Sequence, residues 1–202
     1  MRALTFTRYA WSGNIEFAEV ARPTPRPNEI LVNVHAVGLN PVDLMIPKGT
    51  FKPFLKFDLP ATLGSDLAGI VVDVGSQVTR FKLGDAVFAS TFGSGVGSLA
   101  EYAVVPESAA ALKPARLDFV QAASIPMVGL TSWQALKERA GLKAGQKVFI
   151  PAGSGGIGTF AIQLAKHLGA KVGSTTSTAN VDLVRSLTTG VCCLKLCPQN
   201  DT

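Results

Sequence analysis

Cysteine is absent from the first 191 residues of this sequence, and all three cysteines, Cys192, Cys193 and Cys197, lie among the last eleven. No disulfide framework can therefore span the chain. The spacing, an adjacent pair with a third cysteine four positions later, matches no common zinc motif, and a fourth ligand and a neighbouring histidine are both missing. We interpret the three as free thiols in an apolar segment; the alternative is a metal or redox cluster.

The sequence also lacks a long apolar run, a signal-peptide pattern and a run of basic residues. No apolar stretch reaches the roughly 18 residues of a membrane-spanning helix. The net charge of +5 comes from scattered lysines and arginines, which favours anionic small ligands such as phosphates over nucleic acid. With 47% hydrophobic residues, the chain can bury a globular core. These features predict a cytoplasmic protein with no nucleic-acid partner and no membrane partner.

The first part of the chain has the pattern of short strands separated by turns. Residues 29–37 alternate between two faces, residues 67–74 form a second strand, and a turn at Gly84 precedes a third. A further strand over residues 99–105 ends at Pro106. Such a series predicts a small, mostly antiparallel β barrel or sandwich.

After residue 117 the pattern changes to helices and strands in alternation. A short helix is predicted over residues 118–123, and a longer one over residues 129–140 with Leu130, Trp133 and Leu136 on one face. The following series comprises a strand at 147–151, a helix at 157–168, a second strand at 171–175, and a helix capped by Ser177 or Thr178. This order predicts the opening of a parallel, doubly wound sheet.

The segment 147–158 contains an apolar strand, the motif G-x-G-x-x-G and the start of a helix. In this context Gly153 permits a tight turn, Gly155 lets the backbone approach a phosphate, and Gly158 lets the helix lie close on the strand. The free N–H groups and the positive end of the helix dipole then face an anion. The segment therefore predicts a βα turn that binds the pyrophosphate of a dinucleotide.

The second strand of this series ends without an acidic residue. NAD-binding proteins usually carry a carboxylate there, which bonds the ribose 2′-hydroxyl. The hydroxyls of Thr175, Thr176 and Ser177 can instead donate to a 2′-phosphate, and Lys171 or Arg185 can add positive charge. These residues favour NADPH over NADH; the alternative is that they form only a turn and a helix cap.

Five segments stand in a fixed order along the chain, at residues 36–43, 63–69, 81–87, 123–133 and 153–158. At these separations they resemble the medium-chain dehydrogenases/reductases, in the zinc-independent quinone oxidoreductase (zeta-crystallin-like) branch, and the resemblance covers residues 1–187. It implies an α/β plus β fold, with a GroES-like β barrel domain over residues 1–123. An incomplete Rossmann domain, a doubly wound parallel sheet, then occupies residues 124–202. The family's active site lies in the cleft between the two domains.

Zinc-dependent members of this family carry a cysteine where Asn40 stands and a histidine where Ser65 stands. Neither side chain present here is a soft zinc ligand, so the resemblance implies a site without zinc. The two histidines do not restore a metal site. His35 lies in a strand as a half-buried or surface imidazole, and His167 lies in the last turn of a helix, where its charged form suits the helix C-terminus.

Without zinc, the resemblance implies an enzyme that transfers hydride directly from NADPH to an electron-poor alkene or a quinone. It implies catalytic roles for Asn40, near the nicotinamide and substrate, and for Thr131, which can equally be an ordinary helix residue. It also implies a role for Asp43, for which capping the turn at residues 41–45 is an equal alternative. A tyrosine expected after this turn is missing. Lys48 either replaces it or, as we favour, is a solvated surface charge.

The cofactor site implied by the resemblance comprises the glycine turn and the strand end. Its expected members are Ala152, Gly153, Ser154, Gly155, Gly156, Ile157, Gly158, Thr175, Thr176, Ser177 and Asn180. The expected partner is a small-molecule quinone or enone. Two alternatives stand beside this interpretation: a non-catalytic, NADPH-binding or structural crystallin-like protein, and a zinc alcohol dehydrogenase, against which Asn40 and Ser65 argue.

The resemblance stops after Leu187. A family member continues with a third strand and the second half of the Rossmann domain, whereas residues 188–202 form an atypical tail. We expect a C-terminus altered by truncation or frameshift, with impaired catalysis, and we hypothesise a substitute third strand at residues 191–196. The homodimer typical of the family pairs through the sheet edge that is missing here.

Overall fold

The computed structural model describes residues 1–12, 14–54, 57–92, 97–187 and, for the backbone alone, 192–195. The chain divides into two compact units, Met1–Met127 and Val128–Thr202. This division lies four residues beyond the boundary expected from the sequence at residue 123. Among the helices of the described ranges, none combines the length and the apolar character that a membrane crossing requires.

The first unit consists mainly of short antiparallel strands. They are β1 (Arg2–Phe6), β2 (Ile15–Glu19), β3 (Glu29–Gly38), β4 (Ala61–Thr62), β5 (Asp66–Val74), β6 (Ala86–Ser90), β7 (Tyr102–Pro106) and β8 (Ala110–Leu112), with helices α1 (Pro41–Met45) and α2 (Phe119–Ala123). One sheet has the order β7-β3-β5-β6-β8 and the other the order β2-β1-β4. All of these pairings are antiparallel, which confirms the predicted β architecture.

The larger sheet is held by a core of aliphatic side chains from its central strands. Ile30, Val32, Leu67 and Val87 are fully buried there, and each such side chain contributes about 1.5–3 kcal/mol by leaving water. At Gly69 the neighbouring strand comes so close that a Cβ would overlap the backbone carbonyl of residue 33, so only glycine fits. This close approach lets β3 and β5 stay paired as far as Gly38, the last residue of β3, which faces Asp66, the first residue of β5.

Helix α2 begins with a reciprocal capping arrangement that its sequence predicts. The carboxylate of Asp118 accepts a hydrogen bond from the backbone N–H of Gln121 at 2.7 Å, and the side chain of Gln121 accepts from the Asp118 N–H at 3.1 Å. The helix then buries Ala122 and Ala123. The short helix predicted over residues 118–123 is confirmed.

The second unit has the predicted order of helices and parallel strands. Its elements are α3 (Pro126–Trp133), a π-helical segment (Gln134–Arg139), β9 (Lys147–Ile150), α4 (Gly156–His167), β10 (Lys171–Thr176), α5 (Val181–Ser186) and β11 (Cys192–Lys195). The three strands pair in parallel in the order β11-β10-β9. The presence of β11 confirms the third strand hypothesised at residues 191–196.

The core of the second unit lies between its sheet and the apolar face of α4. Ala161, Ile162 and Ala165 of this helix are buried together with Val172 of β10 and Val184 of α5. The helix presents these residues on one stripe because they recur at spacings of three and four. This packing fixes the first turn of α4 against the end of β9.

The predicted apolar face of the helix at residues 129–140 is wrong. The side chains of Leu130 and Trp133 are 52% and 44% exposed, and only Leu136 is buried. Leu130 and Trp133 lie in the α-helical part, whereas Leu136 lies in the π-helical turns that follow Trp133, so Leu136 does not share the face that a continuous α-helix would give all three.

The predicted cap of the last helix is also wrong. A short 3-10 turn (Thr178–Asn180) comes first, and α5 starts at Val181 with Asn180 at the N-cap position. No side-chain hydrogen bond from Ser177 or Asn180 caps these turns. The hydroxyls at the end of β10 are therefore not occupied by helix capping.

Candidate functional site

The first candidate catalytic residues lie where β3 ends and α1 begins. Asn40 occupies the N-cap position of α1, and Pro41 takes the first helical position, which suits its missing N–H. The carboxylate of Asp43 accepts a hydrogen bond from the backbone N–H of Asn40 at 2.7 Å. Asp43 thus orients this turn, the alternative role that the sequence left open for it.

Strand β5 brings two further polar residues to the same place. The side-chain nitrogen of Asn40 donates to Ser65 Oγ at 3.2 Å and to Asp66 Oδ2 at 3.0 Å. Ser65 Oγ donates in turn to Asp43 Oδ1 at 3.0 Å. We call Asn40, Asp43, Ser65 and Asp66 the Asn40 cluster. The two proposed catalytic residues of the first unit are therefore part of one hydrogen-bonded group.

Burial perturbs both carboxyl groups of the Asn40 cluster, since Asp43 is 4% and Asp66 1% exposed. Desolvation raises the pKa of Asp43 above 3.8, against the opposing effect of its hydrogen bonds from the Asn40 N–H and Ser65. Desolvation also raises the pKa of Asp66, and the negative charge of Asp43 adds to that increase. Hydrogen bonds from the Met127 N–H, the Asn40 amide and Ser90 act in the opposite direction.

Sequence reasoning missed Asp66. Its carboxylate oxygen Oδ2 accepts from the backbone N–H of Met127 at 3.0 Å as well as from Asn40, while Oδ1 is buried and has no hydrogen-bond partner in the described part of the chain. One feature of the sequence could have identified it: Asp66 directly precedes a run of apolar residues predicted to be a buried strand, and a charged side chain is costly at such a position.

The other residues considered for metal binding or acid catalysis lie elsewhere. His35 is exposed and its ring lies 4.5 Å from that of Phe119, while His167 lies in the last turn of α4. The ammonium group of Lys48 lies 4.9 Å from the centre of the Trp11 ring. In the described ranges, no group of three or more His, Cys, Asp or Glu side chains could hold a metal ion.

Thr131, the third proposed catalytic residue, belongs to the second unit. It lies half-buried in α3, beyond the first turn of that helix. The next residue, Ser132, is buried, and its hydroxyl has no hydrogen-bond partner among the described residues.

The glycine turn connects β9 to α4 in a tight conformation. The backbone N–H of Gly153 donates to the carbonyl of Thr175 at 2.8 Å, which ties the turn to β10. Ala152 has φ +53°, in the left-handed region that non-glycine residues rarely adopt. Strain of this kind is typical of ligand-binding turns.

The glycines of this turn are required for two different reasons. A Cβ at Gly153 would overlap the Ser174 hydroxyl, and one at Gly158 would overlap the carbonyl oxygen of Ala152. Protein packing therefore demands glycine at both. At Gly155, by contrast, a Cβ would meet only the Ala152 oxygen, at 3.3 Å, and at Gly156 only a valine methyl at 3.4 Å. The outer side of the turn is open in front of these two glycines.

The start of α4 is available for an anion. Gly155 is its N-cap residue and no side chain caps the helix. A 12-residue helix carries a partial positive charge at this end, where its first N–H groups lack intrahelical partners. Ile157, also proposed for the cofactor site, is about half exposed in this first turn.

Polar side chains from the strand end converge beside the glycine turn. Ser154 Oγ accepts a hydrogen bond from Thr176 Oγ1 at 2.9 Å and from the Asn180 amide at 3.3 Å. Thr175 Oγ1 accepts from the Ala152 N–H at 3.3 Å, and Ser177 is exposed. The structure thus brings together the two segments that the sequence assigned separately to the cofactor.

Comparison with known proteins agrees with this architecture. Residues 26–115 match the alcohol dehydrogenase GroES-like domain. The chain is 42% identical over 193 residues to a chloroplast envelope quinone oxidoreductase homolog of Arabidopsis thaliana, covering 93% of the chain and 59% of the relative. It is 38% identical over 196 residues to a chloroplastic NADPH-dependent alkenal/one oxidoreductase of the same plant, covering 93% of the chain and 50% of the relative.

A solved structure shows the same similarity in three dimensions. The crystal structure of an alcohol dehydrogenase superfamily protein from Novosphingobium aromaticivorans has a TM-score of 0.88 at 40% identity, over 96% of this chain and 58% of that one. The chain thus spans between half and three fifths of the length of these relatives. Over this length the chain is similar to quinone oxidoreductases and to the alcohol dehydrogenase superfamily, which supports the resemblance to the medium-chain dehydrogenases/reductases found in its sequence.

Proposed function

We propose that this chain is an NADPH-dependent oxidoreductase, which transfers hydride to a quinone or an α,β-unsaturated carbonyl compound without a metal. The observation that carries the proposal is the glycine turn, because Gly155 and Gly156 are open to the outside while Gly153 and Gly158 are fixed by packing. A turn shaped only by internal packing has no need of glycine at the two open positions.

The residues of the second unit fit a dinucleotide. The backbone of residues 152–158 and the uncapped start of α4 suit the pyrophosphate, because N–H groups and a helix dipole attract negative charge there. When bound, the reduced nicotinamide supplies the hydride. The protein then has to hold the dinucleotide, orient it and exclude water from the reacting atoms.

The end of β10 supports NADPH as the preferred cofactor. Thr175 and Ser177 offer hydroxyls where NAD-binding proteins usually carry a carboxylate, and Asn180 and Ser154 extend this polar surface. Thr176 is buried and donates to Ser154 Oγ, so it supports this surface from behind. One relative is named as NADPH-dependent. A mycobacterial protein solved in complex with NADPH has a TM-score of 0.83 at 29% identity, over 96% of this chain and 58% of that one.

We assign the chemistry of the first unit to the Asn40 cluster. Asn40 provides a polar contact for the nicotinamide and the substrate, and Thr131 of the second unit provides a hydroxyl for the nicotinamide. Asp43 contributes by orienting the turn that carries Asn40. Asn40 and Ser65 bond each other and the two aspartates, an arrangement of neutral amide and hydroxyl groups that offers no soft metal ligand. The reaction proposed here accordingly uses no zinc.

The partner in this proposal is a small-molecule quinone or enone, as the names of the plant relatives suggest. A cytoplasmic location remains a prediction, and both plant relatives carry a chloroplast location in their names. The expectation that this chain does not form the homodimer typical of the family likewise remains a prediction.

Two measurements on the full 202-residue chain test the proposal. Fluorescence titration with NADPH and NADH should show tighter binding of NADPH, and equal or tighter binding of NADH would contradict the assignment at the end of β10. Oxidation of NADPH with simple quinones and enones should be catalysed. Binding without turnover would favour the non-catalytic alternative, unless a longer version of the chain turns over, which would indicate the impaired catalysis expected from the altered C-terminus.

A further inference from the structure

The side-chain amide of Asn40 is held in one orientation. Its nitrogen lies 3.0 Å from Asp66 Oδ2, 3.2 Å from Ser65 Oγ and 3.4 Å from the carbonyl oxygen of Gly38. A carboxylate and a backbone carbonyl can only accept hydrogen bonds, so the group facing them must be the NH₂. The carbonyl oxygen of Asn40 is left over on the other side. It faces the backbone N–H of Asp43 in the capping arrangement at the start of α1, and its second lone pair is available for a further hydrogen bond.

Asp66 is placed to hold this orientation rigidly. It lies at the start of β5, opposite Gly38 of β3 on one side and Ser90 of β6 on the other. A Cβ at Gly38 would lie 3.1 Å from that of Asp66 and would overlap the carbonyl oxygen of Ala123, so the two strands meet closely at this point. The backbone on both sides thus fixes the carboxylate.

The position of Asp66 is costly for the fold. No cation pairs with it among the described residues, its oxygen Oδ1 is buried without a hydrogen bond, and the negative charge of Asp43 lies nearby. The hydrogen bonds from the Asn40 amide and the Met127 N–H to Oδ2 offset only part of the cost of burying this carboxylate, because Oδ1 has none. Orientation of the Asn40 amide is a role that accounts for an acid at this position.

We propose that Asp66 is a positioning residue that fixes the Asn40 amide, so that Asn40 presents its carbonyl oxygen as a hydrogen-bond acceptor to the bound ligand. The ligand group that meets Asn40 is then a hydroxyl or an N–H group. The ligand part of this inference rests on the proposed function. Asn40 does not donate to a substrate oxygen, so stabilisation of negative charge on that oxygen comes from another donor.

Few other ionisable groups face Asp66. Strand β6 and helix α2 carry none within their bounds, and β3 carries only Glu29, at its far end, and the exposed His35. Helix α1 contributes Asp43, whose charge raises the pKa of Asp66. A titration sensed by the Asn40 amide therefore reports on Asp66 and Asp43, and substitution of each aspartate separates the two contributions.

Nuclear magnetic resonance of the 15N-labelled 202-residue chain tests the positioning role. The chain has six asparagines, so the Asn40 side-chain signal can be assigned by its loss in Asn40→Ser. We expect its two protons to exchange slowly and to shift as the pH is raised above 3.8, as Asp66 ionises, because burial raises the pKa of this carboxyl. Asp66→Asn should remove the Asp66 contribution to this shift and leave only the part that comes from Asp43. Asp73→Asn, the same change at an exposed position of β5, should leave the whole shift intact.

An Asn40 signal that titrates unchanged in Asp66→Asn would overturn the proposal. If that variant does not fold, the test uses the wild-type chain. There the exchange rate and the pH response of the Asn40 side-chain amide are compared with those of the exposed Asn28 amide. An Asn40 amide that exchanges as fast as that of Asn28 and does not shift with pH would also overturn it. Asp43→Asn should keep the titration and lower its midpoint, since a neighbouring negative charge is removed.

Addition of NADPH tests the acceptor role. The Asn40 NH₂ protons should remain protected and should still respond to Asp66, because the ligand bonds the oxygen and not the nitrogen. Loss of that protection on binding would refute the acceptor role. A chain that shows the titration but binds no NADPH would remove the proposed function and leave the positioning role established.

Discussion

Two alanine substitutions in the glycine turn should separate packing from ligand binding. At Gly158 a Cβ would overlap the Ala152 carbonyl oxygen and lie 2.8 Å from the Gly153 Cα, and backbone atoms cannot move aside without shifting the turn. At Gly155 a Cβ meets only the same oxygen, at 3.3 Å, and the backbone angles of φ −75° and ψ 166° suit alanine.

The magnitudes follow from these contacts. Overpacking at Gly158 costs up to about 3 kcal/mol, and the better helix propensity of alanine returns about 1 kcal/mol, which leaves a net loss near 2 kcal/mol. Gly155→Ala should change the free energy of unfolding by less than about 0.5 kcal/mol. Its Cβ stands where the pyrophosphate is proposed to lie, so we expect NADPH affinity to fall about tenfold or more, equivalent to about 1.4 kcal/mol.

The assay uses the two tryptophans of the chain, one in each unit. In a Trp11→Phe background, where the replaced side chain is 81% exposed, urea unfolding followed by fluorescence reports on Trp133 in the second unit alone. Titration with NADPH then gives the affinity of each folded variant. Equal destabilisation by Gly155→Ala and Gly158→Ala, or unchanged NADPH binding by Gly155→Ala, would refute the reasoning.

Four further outcomes are expected. Ala152→Gly should raise the free energy of unfolding by about 1 kcal/mol in urea melts, since glycine adopts the φ of +53° without strain. Asp118→Ala should lower it by about 1 kcal/mol through loss of the α2 cap. Burial raises the pKa of Asp66 above 3.8, so between 3.8 and the pKa of the folded state the native chain keeps a proton that the unfolded chain has released. The free energy of unfolding should therefore fall as the pH rises from 3.8 through the folded-state pKa, and Asp66→Asn should reduce this pH dependence. Thr175→Asp keeps an acceptor for the Ala152 N–H but repels a 2′-phosphate, so the ratio of NADPH to NADH affinity should fall in fluorescence titrations.

Local signals in the sequence determined most of the element order. Capping at Asp118, the glycine motif at residues 153–158 and the alternation along residues 29–37 each act over a few neighbouring positions, and the structure has an element at each of them. The apolar face of the helix at residues 129–140 could not be predicted from the sequence, because π-helical turns after Trp133 change which side chains share a face. That change depends on packing beyond the helix itself.

From the sequence alone one can predict the fold class, the strand–turn–helix with its glycines, and the lack of an acid at the end of β10. Each of these features depends on residues that are neighbours along the chain. Only the tertiary structure decided which polar groups meet. Asn40 and Asp66 are 26 positions apart, and so are Ser154 and Asn180. The first pair is joined by the antiparallel register of β3 and β5, and the second by the parallel pairing of β9 with β10. Register is set by the packing of whole sheets, so a buried acid that no local pattern singles out is recognised only once its neighbours are in place.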